Sequence, residues 1–153
     1  MELRTRIQTA TKDAMRAKDQ LRLSTLRLIG AAIKDREIAI RGEPGQAELG
    51  DDDIIALLSK MVKQRQESAR AYEEGGRLEL AERERDEIEI IQEFLPRQLD
   101  QTEIASAIDS VIADLGASGV RDMGRVMGAL RERHAGQMDF GAAGALVKSR
   151  LMA

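Results

Sequence analysis

Between Asp53 and Pro96 the chain writes one apolar spacing twice, on either side of the pair Gly75-Gly76. Before the glycines the seam reads Ile54, Leu58, Met61, Arg65, Ala69, Tyr72; after them it reads Leu80, Glu84, Ile88, Ile91, Leu95. Steps of three and four return side chains to one face of an α-helix, so each half is an amphipathic helix. The glycines end the first helix and Pro96 stops the second. Two long helices joined by so short a turn fold back as an antiparallel hairpin. Each seam carries charge where an apolar residue belongs, at Arg65 before the turn and at Glu84 to Glu87 after it. In an antiparallel pair these positions face one another. An ion pair of Arg65 with Glu84 or Glu87 is expected, setting register more than adding stability, because desolvation offsets much of the attraction.

Little in the chain could build a sheet. Of 153 residues, one is Tyr and two are Phe (Tyr72, Phe94, Phe140), and Pro occurs twice. An all-α fold is expected, in one domain or two small ones. A first helix is expected over 2–17, with Leu3, Ile7, Ala10 or Ala14, and Met15 inward. Asp19 can cap a second, whose seam is Leu26, Ile29, Ile33 and Ile40. GEPGQAELG, residues 42–50, is a loop. The triplet Asp51-Asp52-Asp53 fans around the next helix start without the spacing of a Ca²⁺ loop, so capping is its expected role.

After Leu95-Pro96-Arg97-Gln98-Leu99, Asp100 and Glu103 have the form of a capping box. The helix they open turns Ile104, Ile108, Val111 and Leu115 inward. The next segment, RDMGRVMGALRERHAG from Arg121, keeps a helical spacing through Met123, Val126, Met127 and Leu130. It does so despite Gly124 and Gly128, each costing roughly 1 kcal/mol relative to alanine. Such glycines are expected to mark close helix packing. Asp139 caps a last helix with Phe140, Leu146, Val147 and Leu151 apolar. The expected organisation is an N-terminal helical bundle over 1–96, containing the long hairpin, and a three-helix domain over 97–153.

Independent chemistry is hard to find. Without cysteine there is neither disulfide nor thiolate site. His134 is the single histidine and lacks companion metal ligands; just before Gly136 it suits a helix C-terminus. Ser24, Ser59 and Ser68 have no nucleophile elbow around them, and no phosphate-cradling glycine motif is present. ERERDEIEIIQE, residues 82–93, lacks the Glu-x-x-His of a di-iron bundle. No catalytic residue, metal or cofactor is assigned. No run approaches the ~20 apolar residues needed to span a bilayer, and the start lacks a secretory apolar core, so a cytoplasmic protein is expected. The net charge of −3 is unevenly spread. Residues 1–41 carry ten Lys/Arg against five Asp/Glu, residues 42–99 eight against fifteen, and residues 100–153 six against seven. A local basic stripe matters more to a polyanion than the total does.

Three segments, LRLSTLRLIGAAIKDREI, MVKQRQESARAYEEGGRLELAERERDEIEIIQEFLPRQL and DMGRVMGAL, resemble the GatB/YqeY family, specifically its small free-standing YqeY-like proteins. The likeness covers almost the whole chain in order. It implies a C-terminal domain similar to the tail of the B subunit of the tRNA-dependent amidotransferase, a carbon–nitrogen ligase with glutamine as amido donor. In that enzyme the tail contacts tRNA while the ATP site and amidase nucleophile lie elsewhere, and this chain carries only the appendage. The function implied is a non-catalytic tRNA-binding accessory protein. Amidotransferase or aminoacyl-tRNA synthetase subunits are its expected partners. The alternatives are an adaptor docking on proteins through the acidic hairpin, or a component of glutamine-dependent amidation that requires partner subunits. On the tRNA reading, Arg121, Arg125, Arg131 and Arg133, with Lys148 and Arg150 from the last helix, would meet phosphates. With so few aromatics, shape and backbone are read rather than stacked bases.

Overall fold

The computed structural model describes residues 2–42 and 48–152, which divide into two compact units, Met1–Leu95 and Pro96–Ala153. The fold is all-α, with seven α-helices and no strand among the described residues. Most of the loop expected over 42–50, residues 43–47, lies outside them.

The first unit holds α1 (Leu3–Ala17), α2 (Gln20–Ala39), α3 (Asp51–Glu74) and α4 (Leu78–Gln92). α1 ends at Lys18, which turns left-handed at φ 58°. Asp19 then starts α2 by accepting the Arg22 N–H at 3.1 Å, one of the donors a helix start leaves orphaned. The core draws on all four helices, with Ile7, Leu26, Ile29, Ile54, Leu58 and Ile91 buried. Met15 is not part of it. Ala14 takes the inward position, and Met15, about 100° further round the helix, is exposed.

The aspartate triplet caps more than its own helix. Asp53 accepts the Gly50 N–H at 3.3 Å, while Asp51 reaches across to the Leu3 N–H at 3.1 Å, at the start of α1. Glu37 ties α2 to the same region by accepting the Leu49 N–H at 3.0 Å and the Arg4 guanidinium. The Leu49 amide and then Arg4 hold the Glu37 carboxyl below its usual range.

α3 and α4 form the long hairpin. Along α4, Ile88 and Ile91 are buried as their spacing predicts, but near the turn Leu80 is exposed and Ala81 is buried in its place, and Glu87 is buried further on. Near a tight turn the two backbones lie close, and Ala81 and Ala69 are the small residues buried on either side of it. α4 also ends at Gln92, short of Leu95, and Phe94 is buried just beyond it.

The second unit holds α5 (Gln101–Leu115), a 3₁₀ turn at Val120–Asp122, α6 (Met123–Arg133) and α7 (Phe140–Met152). Ile108, Val111, Val126, Leu130 and Val147 form its centre, all fully buried. On α7 the inward row is Ala143, Val147, Leu151; Leu146, expected among the apolar positions, is exposed one position aside. The unit's first residues are stitched to the α6–α7 turn. The Leu99 N–H donates to the Gln137 carbonyl at 2.9 Å, and Gln98 Nε2 donates to the Gly136 carbonyl at 2.6 Å.

Candidate nucleic-acid interface

The turn that leads into α6 is held by Asp122, which folds back on the chain ahead of it. The Ser118 N–H donates to Asp122 at 3.0 Å. Ser118, Gly119 and Arg125 together keep the Asp122 carboxyl below its usual range, the Ser118 amide most of all. At the other end His134 closes the helix by donating its N–H to the Leu130 carbonyl at 2.9 Å. Its ring Nδ1 lies 3.0 Å from Gln137 Oε1, and Gln137 Nε2 donates to the Arg97 carbonyl at 3.1 Å. With the amide nitrogen committed to a carbonyl, its oxygen faces the ring, so Nδ1 bears the proton and Nε2 is left as an acceptor.

The six cations expected to meet phosphate differ in their surroundings. Arg125 donates to Asp122 at 3.3 Å and to the Leu115 carbonyl at 3.2 Å. Arg133 donates to Asp114 at 2.8 Å, and Arg150 pairs with Asp109. Arg131 lies over the Phe140 ring, 5.9 Å from its centroid. Arg121 and Lys148 have no ion pair among the described residues. Exposed pairs of this kind contribute roughly 0–1 kcal/mol, so three of the arginines are held in place yet readily exchanged to another anion. Asp109 and Asp114, which hold two of them, carry no signal in the sequence, because their partners come from other helices.

The glycines correct the packing expectation. Gly124 and Gly128 are exposed, and a Cβ on either would meet nothing within 4 Å. The close approach is at Gly144 on α7 instead, where a Cβ would stand 3.7 Å from the Met123 methyl and 3.9 Å from that of Met127. The reason is visible in the α6 seam. Val126, Met127 and Leu130 are buried, and successive residues are rotated by about 100°, which leaves Gly124 and Gly128 on a solvent flank beside Arg121 and Arg131.

In the first unit, Arg65 and the acidic residues of α4 are brought together. Arg65 Nε donates to Glu87 at 2.9 Å, and Arg83 lies 3.8 Å from the same carboxylate. Glu84 is half-buried beside them; desolvation first, then the charge of Glu87, raise its carboxyl pKa against the pull of Arg65 and Arg83. The exposed donors of both units suit an anion, and no group of three metal-ligating side chains gathers among the described residues.

The model of the family described as Yqey-like protein matches residues 4–151. The chain is 34% identical over 109 residues to altered inheritance of mitochondria protein 41, mitochondrial, of Lachancea thermotolerans, a match covering 70% of this chain and 56% of that protein. It is 30% identical over 145 residues to the protein of that name from Eremothecium gossypii, covering 93% and 76%. With the Saccharomyces cerevisiae protein the identity is 30% over 98 residues, covering 64% and 49%. The chain thus spans about half the length of the first curated relatives it matches. These relatives are named as mitochondrial, which overturns the cytoplasmic expectation. Among the described residues no helix is long and apolar enough to cross a membrane. With the family model spanning nearly every residue of both helical units, the chain belongs to the YqeY-like proteins.

Proposed function

We propose that this protein is a non-catalytic accessory factor that binds tRNA through the solvent flank of α6, in the manner of an amidotransferase B-subunit tail. One observation carries the reading: the side-chain-free stripe of Gly124 and Gly128, open to solvent, with arginines beside it. A phosphodiester backbone can come up against the helix there while guanidiniums close on its phosphates from either side. Arg121 and Lys148 offer uncompensated charge, and the paired arginines exchange a weak carboxylate contact for phosphate. Such contacts position an RNA without reading its sequence. The relatives' names point to the mitochondrion as the compartment in which to look for the RNA and for any amidotransferase or synthetase partner.

The test is titration of labelled bulk tRNA with the full chain at low and moderate salt, alongside a variant carrying Arg121→Glu, Arg125→Glu and Arg131→Glu. Saturable binding that weakens with salt and disappears in the folded variant supports the reading. A folded parent that binds no tRNA ends it and turns the search to protein partners.

A further inference from the structure

Arg121 and Lys148 are not alone in lacking an ion pair among the described residues. In the first unit, the antiparallel helices α1 and α2 leave between them a groove of about 580 Å³. Its floor is apolar, formed by the buried Ile7 and Leu26. Lys12 of α1 and Arg27 of α2 line it together with Gln8, Thr11 and Gly30, and no carboxylate does. The same helices pair Arg4 with Glu37, Arg16 with Asp13 and Arg22 with Glu93. Lys12 and Arg27 are left without an ion pair among the described residues. Two uncompensated cations on one acid-free concavity concentrate positive potential there.

The neutral groups between them narrow the ligand class. Thr11 donates its hydroxyl to the Ile7 carbonyl at 2.8 Å, so its oxygen faces outward as an acceptor. Gln8 supplies both a donor and an acceptor. Gly30 is exposed, and a Cβ there would meet nothing within 4 Å, so an incoming chain can lie against the α2 backbone. Lys34, also exposed and without an ion pair, continues the stripe seven residues and about 10 Å beyond Arg27. Cations alternating with neutral hydrogen-bonding groups match a backbone in which phosphates alternate with ribose hydroxyls.

We propose that the α1–α2 groove is a second seat for an RNA phosphodiester backbone, with Lys12, Arg27 and Lys34 on phosphates and Gln8 and Thr11 at the ribose. This rests on the tRNA reading above and extends it to the other unit. No aromatic lines the groove, so it recognises backbone, not stacked bases.

The experiment follows fluorescein-labelled bulk tRNA by anisotropy, with the full chain, between about 50 and about 200 mM salt, the range over which phosphate contacts are read from the slope of log K against log salt. One variant carries Lys12→Gln, Arg27→Gln and Lys34→Gln; another carries Arg121→Gln and Lys148→Gln; circular dichroism verifies both folds. Each lost phosphate contact reduces the slope by about 0.7–0.9, so the groove variant is expected to lose about two units or more. Parental affinity and slope in the groove variant, with the Arg121/Lys148 variant weakened, overturn the groove and leave the α6 reading standing. Loss confined to the groove variant upholds the groove and overturns the α6 placement. A parent that binds no tRNA overturns both. Displacement of tRNA by poly-glutamate at matched charge overturns the choice of RNA.

Discussion

Arg65 on α3 is clamped twice: its Nε donates to Glu87 on α4 at 2.9 Å, and its NH1 donates to the Met61 carbonyl of its own helix at 3.2 Å. The two charged side chains are only 15% and 11% exposed, so removing one strands the other inside the hairpin. Arg65→Met is expected to destabilise the protein by about 3 kcal/mol, as breaking a buried pair does. Adding Glu87→Leu should return stability to the parental level or above, since an apolar pair avoids the desolvation cost. Urea midpoints decide it. A double variant as unstable as the single one would mean that the pair does more than set register.

Two carboxylates should respond to pH in opposite senses. Arg97, then the Asp100 amide, push Glu103 down from 4.5 to about 2. Its contribution is therefore present above the ordinary carboxylate pKa and is lost as pH falls from 4.5 toward about 2. Melting curves of the parent and Glu103→Gln should differ near neutrality and converge at the acid end. Glu84 is raised by desolvation and Glu87, so ionising it costs stability. Glu84→Gln should gain stability at neutral pH, and the gain should vanish as pH falls through the raised pKa. Curves that stay parallel at every pH would contradict both assignments.

Gly124→Ala and Gly128→Ala separate stability from binding. With nothing within 4 Å of either new methyl, each should stabilise α6 by up to about 1 kcal/mol. If RNA seats on that flank, the same substitutions should weaken tRNA binding. Thermal melts and the tRNA titration read the two effects separately, and a stabilised variant with undiminished affinity would argue against backbone approach at the glycines.

The ring of His134 should be a single tautomer. Its Nδ1 faces Gln137 Oε1 at 3.0 Å because the Gln137 nitrogen is spent on the Arg97 carbonyl. Nitrogen-15 NMR of the neutral ring should find the proton on Nδ1, and Gln137→Leu should release it to a mixture of both forms. A proton found on Nε2 in the parent would reverse the amide orientation.

Burial along one helix stripe is a local property, and Ile29, Ile54, Leu58 and Ile108 could be read as core from spacing alone. Placement between helices could be read only across a short turn, as for Arg65 and Glu87 of the hairpin. Which of Leu80 and Ala81 turns inward is decided only once both helices of the hairpin pack. Arg133 and Asp114 lie 19 residues apart, and Arg150 and Asp109 lie 41 apart; nothing in either segment announces the other. The glycines of α6 are a different matter. The apolar seam on Met123, Val126, Met127 and Leu130 already puts Gly124 and Gly128 on its flank, where a glycine is open to solvent and packs against no helix. Lys12 and Arg27 carry no signal of each other in the sequence, since their shared groove exists only when α1 lies against α2.

The seam between residues 98–99 and 136–137 fastens the entrance of the second unit to the turn that precedes α7, its last helix. Both halves of the clasp lie within Pro96–Ala153, so it closes on residues of a single unit. The chain's entry into this unit is thus pinned to the corner between its last two helices, so loosening either the entry or the corner frees the other as well.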